Sequence, residues 1–163
     1  MAADTKIILG AIVVSLALII GAVVVLGKDN SPKREAQGTA SMTIDKKSED
    51  FGSMKVTDER TANFTITNTG DSVLRIWNVV TSCDCAFASV VINDRETGEF
   101  SMHRGGQLGN WIGEIPAKQT ALLKVTYRPK VMPVQGPVSR QVTFATNDPN
   151  NSEVQVSVSA NVL

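Results

Sequence analysis

The sequence predicts an all-β fold, an immunoglobulin-like antiparallel β-sandwich preceded by a single transmembrane helix. Three observations support this prediction. An uncharged apolar run stands near the amino terminus, a polar stretch with Pro and Gly follows it, and residues 42–163 consist of short alternating runs separated by turn residues. Apolar residues at every second position are typical of antiparallel strands that bury one face and expose the other.

The apolar run extends from Ile7 to Gly27, and Ser15 is its only polar side chain. As an α-helix it is about 31 Å long, which matches a bilayer core of ~30 Å. A cleaved signal peptide is the alternative, but its apolar region is shorter and ends at small residues. Here the polar segment KDNSPKRE follows directly, so we expect an uncleaved membrane anchor.

The chain is therefore expected to have four parts. They are an N-terminal flank over residues 1–6, the transmembrane helix over 7–27, a linker over 28–41 and the sandwich over 42–163. The linker is polar and lacks apolar periodicity, which is typical of a tether.

Charges beside the anchor give a weak orientation signal. Lys6 lies on the amino side, whereas Lys28, Lys33 and Arg34 lie on the carboxyl side. Because positive flanks tend to stay in the cytoplasm, this distribution mildly favours a cytoplasmic sandwich. The family resemblance given below implies the opposite orientation, and we adopt that one.

The alternating runs also predict which side chains face the core. Turn signals separate the runs, among them Asn68-Thr69-Gly70 and Asn147-Asp148-Pro149. The run SVLRIWNVV alternates less cleanly but is rich in β-forming residues. The residues expected in the core are Ala62, Phe64, Ile66, Leu123, Val125, Tyr127, Val142, Phe144, Val154, Val156 and Val158, together with Trp77 and Trp111.

Composition excludes several classes of function. The chain has 16 Lys and Arg against 16 Asp and Glu, and a nucleic-acid-binding protein needs a basic surplus. Its single histidine, His103, excludes a zinc site built mainly from imidazoles. The sequence contains no nucleotide-binding loop, no zinc-protease helix and no specific Ser-His-Asp pattern. We therefore expect no catalytic residues, no bound cofactor of the usual kinds and no small-molecule substrate.

Four stretches in order, FTITNTGDSVLRIWNVVTSCDC, IPAKQTALLKVTYRP, GPVSRQVTFATNDP and VQVSVSANV, resemble the bacterial domain-of-unknown-function family fifteen seventy-three. The resemblance covers residues 42 to 163. It implies a sandwich similar to the PapD, major sperm protein and Hydin-type domains, and a location outside the cytoplasm. It implies no reaction, because the activity of the family is largely unassigned. Where the family often has S-C-G-C-T, this chain has S-C-D-C-A over residues 82–86, which puts a charge beside the two sulfurs.

Both cysteines of the chain, Cys83 and Cys85, lie in this motif. In an extended strand, residues two apart have Cα atoms about 6.5–7 Å apart, at the edge of the range that a disulfide can bridge. We therefore expect a disulfide between these two cysteines to be a poor choice, because its geometry would be strained. Three other interpretations stay open: the thiols pack as small apolar groups, they bind a metal ion, or they are reactive thiols. A single histidine gives little support for the last of these.

The metal-site hypothesis depends on the Gly-rich segment over residues 92–119, which interrupts the strand pattern. Copper(I) accepts two or three soft ligands, with Cys and Met favoured. A copper(I) site would use Cys83, Cys85 and His103, and Met102 or Met132 would add a thioether. Long structured insertions of this kind are often functional.

The sequence thus favours a membrane-anchored, outward-facing interaction or accessory domain without enzymatic activity, in an envelope or membrane complex. Ile7 to Gly27 would bind the membrane, and exposed edge strands would bind a protein partner. A copper(I)-binding protein is the alternative, and a thiol redox protein is a weaker one.

Overall fold

The computed structural model describes residues 38–103 and 108–163, which form a sandwich of two five-stranded sheets. The prediction of an all-β sandwich is confirmed, and the only helical element in these residues is a 3₁₀ turn at Pro129–Val131. The strands are β1 (Met42–Ile44), β2 (Ser48–Met54), β3 (Arg60–Asn68), β4 (Leu74–Thr81), β5 (Ala86–Ile92), β6 (Arg95–Glu96), β7 (Ile112–Ile115), β8 (Thr120–Tyr127), β9 (Gly136–Thr146) and β10 (Glu153–Val162).

The expected transmembrane helix over residues 7–27 lies outside the described residues, as do the N-terminal flank and most of the linker. Within residues 38–103 and 108–163, no helix has the length and apolarity needed to cross a membrane. Packing begins before residue 42, because Ala40 is buried and the backbone N–H groups of Thr69 and Gly70 donate to the carbonyl oxygen of Ser41.

One sheet has the strand order β1-β3-β8-β5-β6 and the other has the order β2-β10-β9-β4-β7. All pairs are antiparallel except β2 with β10. The consecutive strands β4 and β5 belong to different sheets, so the chain crosses the sandwich between them. Residues 82–85, which include both cysteines, make this crossing. At the far edges of the two sheets, β6 and β7 each have one strand partner within the described part of the chain.

The alternating side chains meet in one core between the sheets. Cross-strand pairs such as Phe64 with Leu123 and Val142 with Val156 place the large residues of neighbouring strands side by side. The expected inward residues are all buried, with the exception of Trp77 and Trp111, which are half-buried. The buried set comprises Ala62, Phe64, Ile66, Leu123, Val125, Tyr127, Val142, Phe144, Val154, Val156 and Val158.

Strand β4 explains why Trp77 is not in the core. Leu74 and Ile76 point inward, so Trp77 falls on the outer face of the sheet. The ladder with β9 shifts register between Trp77 and Val80, and Asn78 there has φ of 53°. This bulge returns Val79 to the core, and it is the reason that the run alternates imperfectly.

The turn after β9 ties the first strand to the sandwich. The buried carboxylate of Asp148 accepts hydrogen bonds from the backbone N–H groups of Met42 and Asn150 and from the side-chain amide of Asn151, each at 2.8 Å. Burial by itself would raise the pKa of Asp148, but these hydrogen bonds from Asn151, Asn150 and Met42 outweigh it and hold that pKa below its ordinary value. The Asn-Asp-Pro turn is therefore a structural joint as well as a chain reversal.

Candidate functional site

The two cysteines form a disulfide within the crossing turn. Their Cα atoms are 5.2 Å apart, well within the range that a disulfide spans. The expectation that a disulfide would be a poor choice here is wrong, because it assumed an extended strand. Strand β4 ends at Thr81 and β5 begins at Ala86, and the intervening backbone turns, which brings the two Cα atoms closer.

Hydrogen bonds to the backbone carbonyl groups of the two cysteines also hold this turn. The hydroxyl of Thr81 donates to the carbonyl oxygen of Cys83 at 2.8 Å, and the N–H of Arg128 donates to the carbonyl oxygen of Cys85 at 2.8 Å. The loop closed by the disulfide is very short, so loop entropy contributes only about 1.6 kcal/mol to stability. The disulfide therefore stabilises the fold only weakly, which favours a role in thiol–disulfide chemistry.

The two sulfur atoms have different surroundings. Cys83 is 8% exposed, whereas Cys85 is 0% exposed. The Nε–H of Arg140 on β9 donates to Sγ of Cys85 at 3.1 Å, and the N–H of Cys85 donates to Sγ of Cys83 at 3.2 Å. The guanidinium carbon of Arg140 also lies 5.7 Å from the ring centroid of Tyr127, a distance that permits a cation–π contact.

The ring of Tyr127 lies beneath the guanidinium of Arg140. Its ring is buried, and its hydroxyl has no hydrogen-bond partner within the described part of the chain. Its cross-strand neighbour in β5 is Ala86, the residue directly after the disulfide. The buried sulfurs, the half-buried guanidinium of Arg140 and the buried phenol of Tyr127 thus lie together at this end of the sandwich. The sequence indicated Tyr127 only as a core residue and did not indicate Arg140.

The structure brings His103 close to the disulfide turn through Asp84, the residue between the cysteines. Nδ1 of His103 lies 3.0 Å from Oδ1 of Asp84, and the histidine side chain is 76% exposed. Met102 and Met132 are exposed. In the described ranges, no three or more His, Cys, Asp or Glu side chains are grouped so as to hold a metal ion. The copper(I) prediction requires reduced cysteines and stays a prediction for that form.

Arg128 fixes the other side of the turn. Its guanidinium bonds to the carboxylates of Glu59 at 2.8 Å and Glu99 at 2.7 Å, and it stacks over the ring of Phe87 at 4.4 Å. The hydrogen bonds to Glu99 and Glu59 raise the pKa of Arg128 above its ordinary value. Because Glu99 immediately precedes the segment that contains Met102 and His103, this network anchors that segment beside the turn.

A second candidate surface lies at edge strand β7. Ile112 is 58% exposed, and it stands opposite Trp77 across the ladder with β4. Trp111 packs against Phe100, with ring centroids 5.2 Å apart, and it lies over Gly113 so closely that a Cβ there would collide with its ring. A groove of about 430 Å³ runs along this surface and is lined by Arg75, Trp77, Asn78, Gly109, Asn110, Trp111 and Ile112.

A comparison with known protein families finds a match over the first half of the sandwich. The model of a family described as protein of unknown function (DUF1573) matches residues 42–102. A search of the curated proteins finds no match.

Comparisons with solved structures concern the fold. A protein of unknown function from Porphyromonas gingivalis is 22% identical, with a TM-score of 0.58, and the match covers 81% of this chain and 51% of that protein. A PapD-like domain of human CEP192 is 11% identical over 77% of this chain and 87% of that domain, with a TM-score of 0.50. The chain thus spans about half the length of the Porphyromonas protein. The described domain thus shares its two-sheet β-sandwich fold with these structures.

Proposed function

We propose that this protein is a membrane-anchored, outward-facing binding module in an envelope or membrane complex, and that an extended segment of a partner protein adds to strand β7. The proposal depends chiefly on one observation, the free edge of β7 with the exposed Ile112 beside Trp77. The role requires no catalytic step.

The edge of β7 offers both parts of strand addition. Among the described residues, strand β7 pairs with β4 on one side only, so alternate backbone groups on its other side point away from the sheet and can bond to another strand. Side-chain specificity would come from the apolar groove around Trp77, Trp111 and Ile112. We therefore expect the bound segment to be extended, with an apolar residue that packs against Ile112.

The surrounding charges support a segment of mixed polarity. The ion pair between Arg75 and Glu114, at 2.9 Å, lies on the same outer face as Trp77 and Ile112, and both side chains are more than half exposed. A bound strand would place alternate side chains over the apolar pair and over this ion pair. A uniformly apolar occupant such as a lipid tail would leave the two charges without water.

The disulfide supports the outward orientation. Disulfides persist in oxidising compartments outside the cytoplasm and are rare within it. The Cys83–Cys85 bond therefore agrees with the orientation that the family resemblance implies, and it weighs against the mild charge asymmetry beside the anchor.

Site-specific photocrosslinking in the native host tests the binding role. A photoreactive residue at position 112 of the full chain should give one discrete partner adduct, and the same residue at position 131 should not. Val131 is the matched control because it is also an exposed aliphatic side chain, on the 3₁₀ turn. An Ile112→Asp variant should abolish the complex in mild detergent, whereas Val131→Asp should preserve it. Equal adducts at both positions, or a complex that survives Ile112→Asp, would overturn the proposal.

A further inference from the structure

We propose that the Cys83–Cys85 disulfide is a site of thiol–disulfide exchange with a partner protein's dithiol, in which Cys83 is attacked and Cys85 is the leaving group held by Arg140. This activity goes beyond the proposed binding role and does not depend on strand β7. Three observations support it: the unequal exposure of the two cysteine residues, the guanidinium N–H on the sulfur of Cys85, and turn hydrogen bonds to the carbonyl groups that do not involve a sulfur atom.

Access selects Cys83 as the sulfur that reacts first. An incoming thiolate must reach the attacked sulfur along the line of the bond that it breaks, so a fully covered sulfur cannot be the target. Cys85 has no exposed surface, whereas Cys83, although also buried, is 8% exposed, so access favours Cys83. Asp84 lies between them and is partly exposed beside His103, so the partner would approach over this polar rim.

Arg140 makes Cys85 the better leaving group. When the bond breaks, the buried Cys85 sulfur must accept a negative charge, which burial alone would disfavour. The Nε–H of Arg140 already points at that sulfur from 3.1 Å, so the charge would form against a fixed cation. The contact with the Tyr127 ring helps to keep the guanidinium in place.

The chemistry balances with a partner dithiol as reductant. A partner thiolate forms a bond to Sγ of Cys83, the Cys83–Cys85 bond breaks, and its electron pair goes to Sγ of Cys85. The partner's second thiolate then attacks the partner's first sulfur in the mixed disulfide, and Cys83 leaves as a thiolate. The partner gains a disulfide and loses two electrons, this chain gains them, and the two protons that the partner's thiols gave up can return to Cys83 and Cys85. The reverse sequence reduces a partner disulfide.

The turn tolerates this change. Its carbonyl groups are bonded to the hydroxyl of Thr81 and to the backbone of Arg128, and neither bond involves a sulfur atom. Reduction would therefore leave the two thiols close together and ready to bond again, which a reversible exchange site requires.

Exchange with reduced glutathione tests the proposal on the oxidised full chain in detergent. Samples quenched early with acid are digested and mapped by mass spectrometry, which shows where the glutathione adduct forms. We expect it on Cys83, before any unfolding visible by circular dichroism. An adduct on Cys85, or no adduct until the chain unfolds, would overturn the proposal without reference to any variant.

Arg140 variants supply the second test. Arg140→Gln should slow the exchange about tenfold, because the leaving thiolate loses its cation, and Arg140→Lys should restore part of the rate. Arg95→Gln, at an exposed arginine on β6, is the matched control and should leave the rate unchanged. Melting curves establish that each variant is folded. A folded Arg140→Gln variant that exchanges as fast as the wild type would refute the role given to Arg140.

Discussion

Nε of Arg140 lies 3.1 Å from Sγ of Cys85, although the two residues are 55 positions apart in the chain. The contact exists because β4 and β5 lie in opposite sheets, so that the turn between them passes beside β9. The side chain of Arg140 thus contacts the buried sulfur of Cys85, although the sequence motif around Cys85 contains only its immediate neighbours and gives no sign of Arg140.

Reduction of the disulfide should lower the free energy of unfolding by less than about 2 kcal/mol, because the closed loop is so short. Denaturant unfolding of the full chain, oxidised and reduced, measures this difference. The reduced chain serves as its own control, since no side chain is exchanged. A loss above about 4 kcal/mol would show that the bond is a structural staple.

Asp148→Ala should destabilise the fold by about 1–3 kcal/mol, because the N–H of Met42 and the groups of Asn150 and Asn151 lose their acceptor. The pKa of Asp148 is lowered in the folded state, so its contribution is present above the unfolded pKa of about 3.9 and is lost as pH falls through the folded value. Thermal melts from neutral to acid pH should therefore converge for variant and wild type at low pH. The exposed Glu153→Ala is the control, and a constant gap between the Asp148 melts would contradict this account.

Tyr127→Phe should change the free energy of unfolding by no more than about 0.5 kcal/mol and could raise it, because the buried hydroxyl has no partner in the part of the chain that the structure describes. The ring under Arg140 remains in the variant. Denaturant unfolding checks this. A loss of more than about 1.5 kcal/mol would reveal that the hydroxyl is satisfied by water or by another group.

Gly113→Ala should displace Trp111, because the new Cβ would collide with its ring, and the expected cost is about 1–3 kcal/mol. Tryptophan fluorescence in a Trp77→Phe background reports on Trp111 alone. Gly98→Ala is the matched control, since its Cβ would meet only the movable end of Leu108 at 3.3 Å. An unchanged emission spectrum in Gly113→Ala would contradict the packing described at β7.

The copper(I) prediction has a direct measurement. The reduced full chain is titrated with copper(I) against a competing chelator, beside a Cys83→Ser, Cys85→Ser double variant and a His103→Ala variant. If the site exists, the double variant should lose binding and His103→Ala should weaken it. Equal affinity in the wild type and the double variant would rule out a site at the cysteines.

Period-two alternation predicted most of the core, because burial of one sheet face imposes that pattern on the residues themselves. It failed at Trp77, which lies on the outer face because Leu74 and Ile76 face the core. The bulge that follows at Asn78, which no local pattern shows, then returns Val79 to the core. The turn at residues 82–85 was also missed. Without a Gly or Pro, its sequence looked like the continuation of a strand, and the disulfide was judged from that geometry.

The site was predictable only in its local part. The cysteines stand out by spacing. His103 lies beside the turn through its contact with Asp84, and its role as a copper(I) ligand stays a prediction. Arg140 and Tyr127 belong to strands far along the chain, where each occupies an ordinary alternating position. Ile112 lies in the segment over residues 92–119 that the sequence showed only as an interruption of the strand pattern, and the sheet order shows that its strand is an edge.

Thiol labelling in intact cells of the native host tests the central claim most directly, namely an outward-facing domain with an exchangeable disulfide. The full chain is exposed to a membrane-impermeant reductant and then to a membrane-impermeant maleimide. We predict no labelling before reduction and labelling of Cys83 afterwards, without permeabilisation, whereas the buried Cys85 should be labelled only once the chain is unfolded. A Cys83 thiol that reacts only after the membrane is opened, or cysteines that are free thiols from the start, would contradict the account.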